Sequence, residues 1–230
     1  MDWQKKLLGE LKTLYEIMCE SKRHQFFPEH WLDHNVRVEK LALWLVKQDE
    51  LESKLDSETL IATALLHDVG YLWADGSGHI QHSIKLAEKI LPQVGFPKHK
   101  IKKVLECILY HDTVPGRPGW KNDLPIECKI VGDADAIESS GCLGILRFTS
   151  WSGRNGVPLW IPKGKDVKTS IFPEIGIINN IEIRLPELIN RCFSPTARKL
   201  IEERWIDMKK FIEGFKREIQ FVENLQGGDL

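Results

Sequence analysis

The chain reads as an all-α protein, and three observations carry that reading. Apolar residues recur at spacings of three and four in several separate segments, alternating runs of strand length are scarce, and segments rich in Gly and Pro fall between the periodic ones. Residues 36–46 are dense in apolar side chains, and residues 60–66 are apolar nearly all round, the signature of buried helices, with Asp56 or Ser57 placed to cap the second. Within residues 98–110, Ile101, Val104, Leu105, Ile108 and Leu109 fall on one helical stripe, with Lys102, Lys103 and Glu106 elsewhere around the helix. A further helix is expected to start near Pro125, a residue suited to a first turn, and to run past Asp135 until Gly141 and Gly144 weaken it. Ser194-Pro195 reads as an N-cap and first position, and Ile201, Trp205, Met208, Phe211, Phe215, Ile219 and Val222 continue a one-sided packing helix over residues 195–225. Residues 175–183 are the one stretch that could pair as short strands.

Three segments interrupt this pattern. Residues 74–78 form a short turn, and residues 112–122 are rich in Pro and Gly directly after His111. The third, residues 150–168, carries Trp151, Arg154 and Trp160 among Gly and Pro residues and reads as a loop that serves either as a lid or as a packed connection. At 230 residues, without an internal repeat, the chain is long enough for one large domain spanning 1–230.

Composition excludes some classes of function. Thirty-two basic and 33 acidic residues give a net charge of −1, so no global field attracts a nucleic acid polymer or an anionic membrane, and any phosphate recognition is local. Residues 1–10 lack the continuous apolar core of a signal peptide, and no run approaches membrane-spanning length. Five scattered cysteines without a CxxC pair suit reduced, packed thiols, which points to the cytoplasm.

His67-Asp68 stands at the end of the apolar run 61–66. Burying an imidazole or a carboxylate without a partner is costly, and a divalent cation compensates both, since mid-row metals accept these ligand types. His34, His79, His111 and Asp135 fall on other predicted helices or the turns beside them, a dispersion that suits a site between facing helices rather than a zinc finger. Neighbours on a helix point about 100° apart, so His67 and Asp68 share a cation only if it sits between their directions. The same geometry lets only one of Asp133 and Asp135 face inward. Asp135 is taken as the ligand, with Asp133 in an exposed ion pair with Lys129; the reverse, Asp133 as ligand supported by Asp135, stands as the alternative.

The order His34, His67-Asp68, Asp135 resembles the pattern of the HD-domain superfamily of metal-dependent phosphohydrolases. The segments Ala64-Leu65-Leu66-His67-Asp68-Val69-Gly70, Gly132-Asp133-Ala134-Asp135 and Gly141-Cys142-Leu143-Gly144-Ile145-Leu146-Arg147, with Thr196-Ala197-Arg198 opening the last helix, are similar to a small standalone bacterial branch. The resemblance implies an all-α HD-domain helical bundle whose metal site, between helices, is made by His34, His67, Asp68 and Asp135. It also implies a second ion at His79 and His111, with His82 as the local competitor of His79. The cofactor is then one or two divalent ions of Mn, Mg, Co, Fe or Ni, and the partner a small phosphorylated molecule, foremost a nucleotide.

Such a cation acidifies water and polarises a phosphoryl oxygen, so that hydroxide attacks phosphorus in line and no protein nucleophile is needed. Asp68, Glu138 and Asp112 are the candidate catalytic carboxylates, and Arg37, Arg147 and Arg154 the candidate substrate-binding cations. The sequence departs from the branch after the metal Asp, with Ala136 and Glu138 where relatives commonly place a basic residue and an Asp. Two other functions use the same ligand types: a di-iron oxygenase on a similar scaffold, and a non-catalytic module that keeps the metal for stability or ligand capture.

Overall fold

Apolar spacing of three and four residues shapes most of the chain. The computed structural model describes residues 1–20, 28–74, 78–112, 123–161 and 176–226, and no strand occurs among them. The helices are α1 (Asp2–Glu20), α2 (Leu32–Gln48), α3 (Ser57–Leu66), α4 (Gly78–Gln93), α5 (Lys98–Tyr110), α6 (Ile126–Glu138), α7 (Gly141–Arg154), α8 (Ile177–Arg191) and α9 (Pro195–Gln226), with 3₁₀ turns at Pro28–His30 and Val69–Leu72. The all-α expectation holds. No helix among the described residues is long and apolar enough to cross a membrane.

Two compact units emerge. The first comprises Met1–Glu138 with Arg191–Arg198, the second Ser139–Asn190 with Lys199–Leu230. In the first, α2 lies against α3 and α6, α3 also meets α5, and α4 packs on α5 and on the turn Val69–Leu72. The core beneath them draws Trp3, Leu7, Leu11 and Tyr15 from α1, Leu65 and Leu66 from α3, Leu91 from α4 and Val104 and Ile108 from α5, closed by an edge-to-face contact of Trp3 and Phe96 at 4.8 Å. Each such aliphatic side chain contributes about 1.5–3 kcal/mol, which offsets the cost of enclosing ionisable groups beside them.

Capping sets several boundaries. Asp56 accepts the Glu58 N–H at 3.1 Å and opens α3, while Ser194 Oγ accepts the Ala197 N–H at 2.9 Å and opens α9, the expected cap. Asp133 takes part in that start too. Its carboxylate accepts the N–H groups of Phe193 (3.1 Å) and Ser194 (2.6 Å), and it is buried. Asp133 is therefore not an exposed partner of Lys129, as expected from helix spacing alone; the Lys129 ammonium lies over the Phe193 ring instead. Burial, and the charge of Asp49, which accepts the hydroxyls of Ser194 and Thr196, push Asp133 up to about 7.

Three other expectations change. Residues 177–183 are helical rather than paired strands, because Ile177, Ile178 and Ile181 bury one face of α8. Residues 150–154 close α7, so the expected loop starts later; its last part, 162–168, lies outside the described residues, as do 75–77 and 113–122 of the other two loops. Cys107, Cys128 and Cys192 are packed thiols, but Cys19 and Cys142 are exposed.

Candidate metal centre

The helix α3 stops at Leu66. His67 is its C-cap, and Asp68, at φ −110° and ψ 3°, already belongs to the turn that leads into Val69–Leu72. The pair thus stands just past the helix, where the fixed 100° between neighbours no longer applies, and His67 Nε2 lies 3.4 Å from Asp68 Oδ2. His111 occupies the matching place at the end of α5.

A helix end leaves carbonyls without intrahelical partners, and both histidines exploit that. His67 Nδ1 bonds the Ala64 carbonyl at 2.8 Å, and His111 Nδ1 bonds the Ile108 carbonyl at 2.7 Å. A carbonyl only accepts, so each Nδ1 carries the hydrogen and each Nε2 keeps a lone pair facing the interior. On α2, His34 Nδ1 lies 3.3 Å from the Glu138 carboxylate, which fixes the same tautomer. Its Nε2 stands 3.3 Å from His67 Nε2, 3.3 Å from Asp68 Oδ2 and 3.5 Å from Asp135 Oδ1.

Asp68 divides its oxygens between two groups. Oδ2 faces His34 and His67, whereas Oδ1 lies 3.3 Å from His79 Nε2 and 3.3 Å from His111 Nε2. The ligand atoms of His34, His67, Asp68 and Asp135 all fall within 4.8 Å of one another, as do those of Asp68, His79 and His111. Two imidazoles with two carboxylates, three ring nitrogens stripped of hydrogen and aimed inward, and near-complete burial fit a mid-row divalent cation. Burial alone would raise Asp68, but neighbouring His67 and His30, the latter also through its hydrogen bond, hold its carboxyl well below the usual carboxylate range.

Two glycines make these approaches possible. A Cβ on Gly70 would stand 1.8 Å from the His79 carbonyl oxygen, and the Gly70 N–H instead bonds buried Ser83 Oγ at 2.8 Å, drawing α4 against the turn that carries Asp68. A Cβ on Gly132 would stand 2.8 Å from the His111 carbonyl oxygen. The sequence showed both glycines beside ligands without showing what they approach.

The remaining candidates sort by place. Asp135 joins His34, while Asp133 turns away to α9. Asp112 is exposed, 3.9 Å from His79 Nε2 and 3.8 Å from His111 Nε2. Glu138 is buried between His34 and Arg37, whose Nε–H it accepts at 2.8 Å. Arg37, expected among the substrate-binding cations, is paired with Glu138 and Asp33. His82 stacks on Trp73. In the second unit, Arg147 Nη1 donates to Ser139 Oγ at 3.3 Å, and Arg154 ends α7. The residue missed from the sequence is His30, whose Nδ1 lies 2.7 Å from Asp68 Oδ2.

Comparison with known proteins agrees with this geometry. The family model described as HD domain matches residues 31–140, a span that holds all six candidate ligands. Residues 31–140 match an HD domain. Among relatives, YpgQ of Bacillus subtilis is 25% identical over 194 residues, covering 84% of this chain and 86% of YpgQ. A solved structure from Lactobacillus plantarum matches with a TM-score of 0.68 at 22% identity, covering 94% of this chain and 97% of that one. An HD-superfamily hydrolase of Bacillus thuringiensis matches at 0.61 and 22%, covering 94% and 98%. YpgQ in complex with ADP matches at 0.65 and 20%, covering 94% and 96%. These likenesses show a shared fold over nearly the whole chain.

Proposed function

We propose that this protein is a metal-dependent phosphohydrolase acting on a small phosphorylated metabolite, foremost a nucleotide. The observation that carries the reading is the enclosed His34-His67-Asp68-Asp135 set, which shares Asp68 with His79 and His111. His34, His67, Asp68 and Asp135 would hold the first divalent ion, and Asp68, His79 and His111 a second. A bound divalent ion supplies Lewis-acid polarisation of a phosphoryl oxygen and acidification of water near neutral pH.

The protein's own residues do the rest. Glu138 and the carbonyls of Ala64 and Ile108 take the imidazole hydrogens, so three Nε2 atoms stay available as donors of electron pairs. Asp112, exposed beside His79 and His111, is positioned to accept a proton from attacking water. Arg147 and Arg154 are proposed to meet the substrate's phosphates. Support for a nucleotide comes from YpgQ, solved in complex with ADP.

The test is a panel of nucleoside mono-, di- and triphosphates and simple phosphate esters, each incubated with metal-stripped protein restored with Mn, Mg, Co, Fe or Ni. Release of orthophosphate or pyrophosphate that requires added ion supports the proposal. Oxygen uptake by the iron form with no hydrolysis would instead favour the oxygenase alternative.

A further inference from the structure

Of the four histidines that offer Nε2 to the centre, His34, His67 and His111 send Nδ1–H away from it, to Glu138 or to a backbone carbonyl. His30 is turned the other way. Its Nδ1 points at Asp68 Oδ2 from 2.7 Å, and a carboxylate can only accept, so the ring presents a hydrogen rather than a lone pair. This is the shortest contact that Asp68 makes with any imidazole around it.

The His30 ring is also held on its other sides. It stacks on Tyr71 with centroids 3.7 Å apart and planes 11° from parallel, and Tyr71 stacks its opposite face on His79 at 4.1 Å and 13°. The His30 carbonyl accepts the hydroxyl of buried Tyr15 at 3.3 Å, and the side chain is only 12% exposed. With both faces of Tyr71 covered, that ring is a spacer between His30 and His79 rather than a platform for a substrate base.

We propose that His30 is a positioning residue: its Nδ1–H fixes the Asp68 carboxylate so that Oδ2 faces His34 and His67 while Oδ1 faces His79 and His111. Free rotation of the carboxylate would otherwise have to be frozen when the ion binds, and carboxylate ligands hydrogen-bonded from behind hold metals tighter by about 10–100-fold. The inference rests on the reading of Asp68 as a metal ligand.

The test measures Mn affinity of the metal-stripped full chain by calorimetry, with the melting temperature of each variant recorded without metal. His30→Phe keeps a ring for Tyr71 but has no donor; His30→Asn keeps an N–H near the place of Nδ1 without the ring. The expected result is a 10–100-fold weaker Kd for His30→Phe and a Kd within about threefold of the parent for His30→Asn. Equal affinity of His30→Phe and parent overturns the proposal, and so does equal loss in both variants, which would make His30 a direct ligand or a packing residue. Asp68→Ala separates the two claims. If it binds Mn as the parent does, the ligand reading fails; if it loses Mn while His30→Phe does not, only the positioning role fails.

Discussion

At the residue scale, the centre depends on hydrogens being in the right place on each imidazole. Glu138 shows how one side chain sets two others. Burial alone would raise its carboxyl, but the hydrogen bonds from His34 and Arg37, with the charge of Arg37, hold it below the usual range, so it is ionised and accepts from both. Glu138→Ala would leave a buried imidazole N–H and a guanidinium without their acceptor and free His34 to turn. We expect Mn affinity to drop about 10–100-fold, read by calorimetry, and Glu138→Gln to recover part of it because the amide oxygen still accepts. Unchanged affinity in the alanine variant would contradict the role given to Glu138. His30 was hidden in the sequence because nothing near it is periodic: it precedes α2, and its partner Asp68 is 38 positions away.

At the element scale, the approach of backbones matters more than any single side chain. Gly70 lets the turn after α3 meet α4, and Gly70→Ala would drive a methyl carbon into the His79 carbonyl. The expected loss is about 3 kcal/mol of stability, with weaker binding of a second ion, read by chemical denaturation and metal stoichiometry. A variant as stable as the parent would show that α4 can move away at little cost. The start of α9 gives a pH-dependent prediction. Asp133 titrates near 7 in the fold against 3.8 for an ordinary carboxyl, so folding favours its neutral form. Its contribution is full below pH 4 and is lost as pH rises toward and through 7, by at most about 4 kcal/mol. Asp133→Asn, neutral at every pH, should flatten the fall in metal-free stability between pH 5 and 8; identical slopes in variant and parent would refute this. Elements were legible where apolar spacing was strong, as in α5, whose predicted and observed limits agree. The β-branched run at 177–183 imitated a strand, and burial of one α8 face overrode that local preference.

At the scale of the whole molecule, the all-α architecture and the HD pattern were both readable, because helical periodicity and an ordered His, His-Asp, Asp series survive in one dimension. What holds the ligands was not. The carbonyl contacts of His67 and His111, the Gly132 approach to His111 and the Asp133 link to α9 all depend on elements meeting in space. Every candidate ligand belongs to the first compact unit. If Arg147 and Arg154 meet substrate phosphates as proposed, Arg147→Ala and Arg154→Ala should raise KM for a phosphorylated substrate and leave Mn affinity untouched, a split visible in steady-state kinetics. Lost metal binding in either variant would contradict those roles. Phosphate release from nucleoside phosphates, followed while metal-stripped protein is titrated with Mn, tests whether this centre hydrolyses. A saturable rise in rate that tracks occupancy of the first site and disappears in Asp68→Ala is the expected result. Phosphate release that is independent of added metal, or full occupancy with no turnover across the panel, would contradict it.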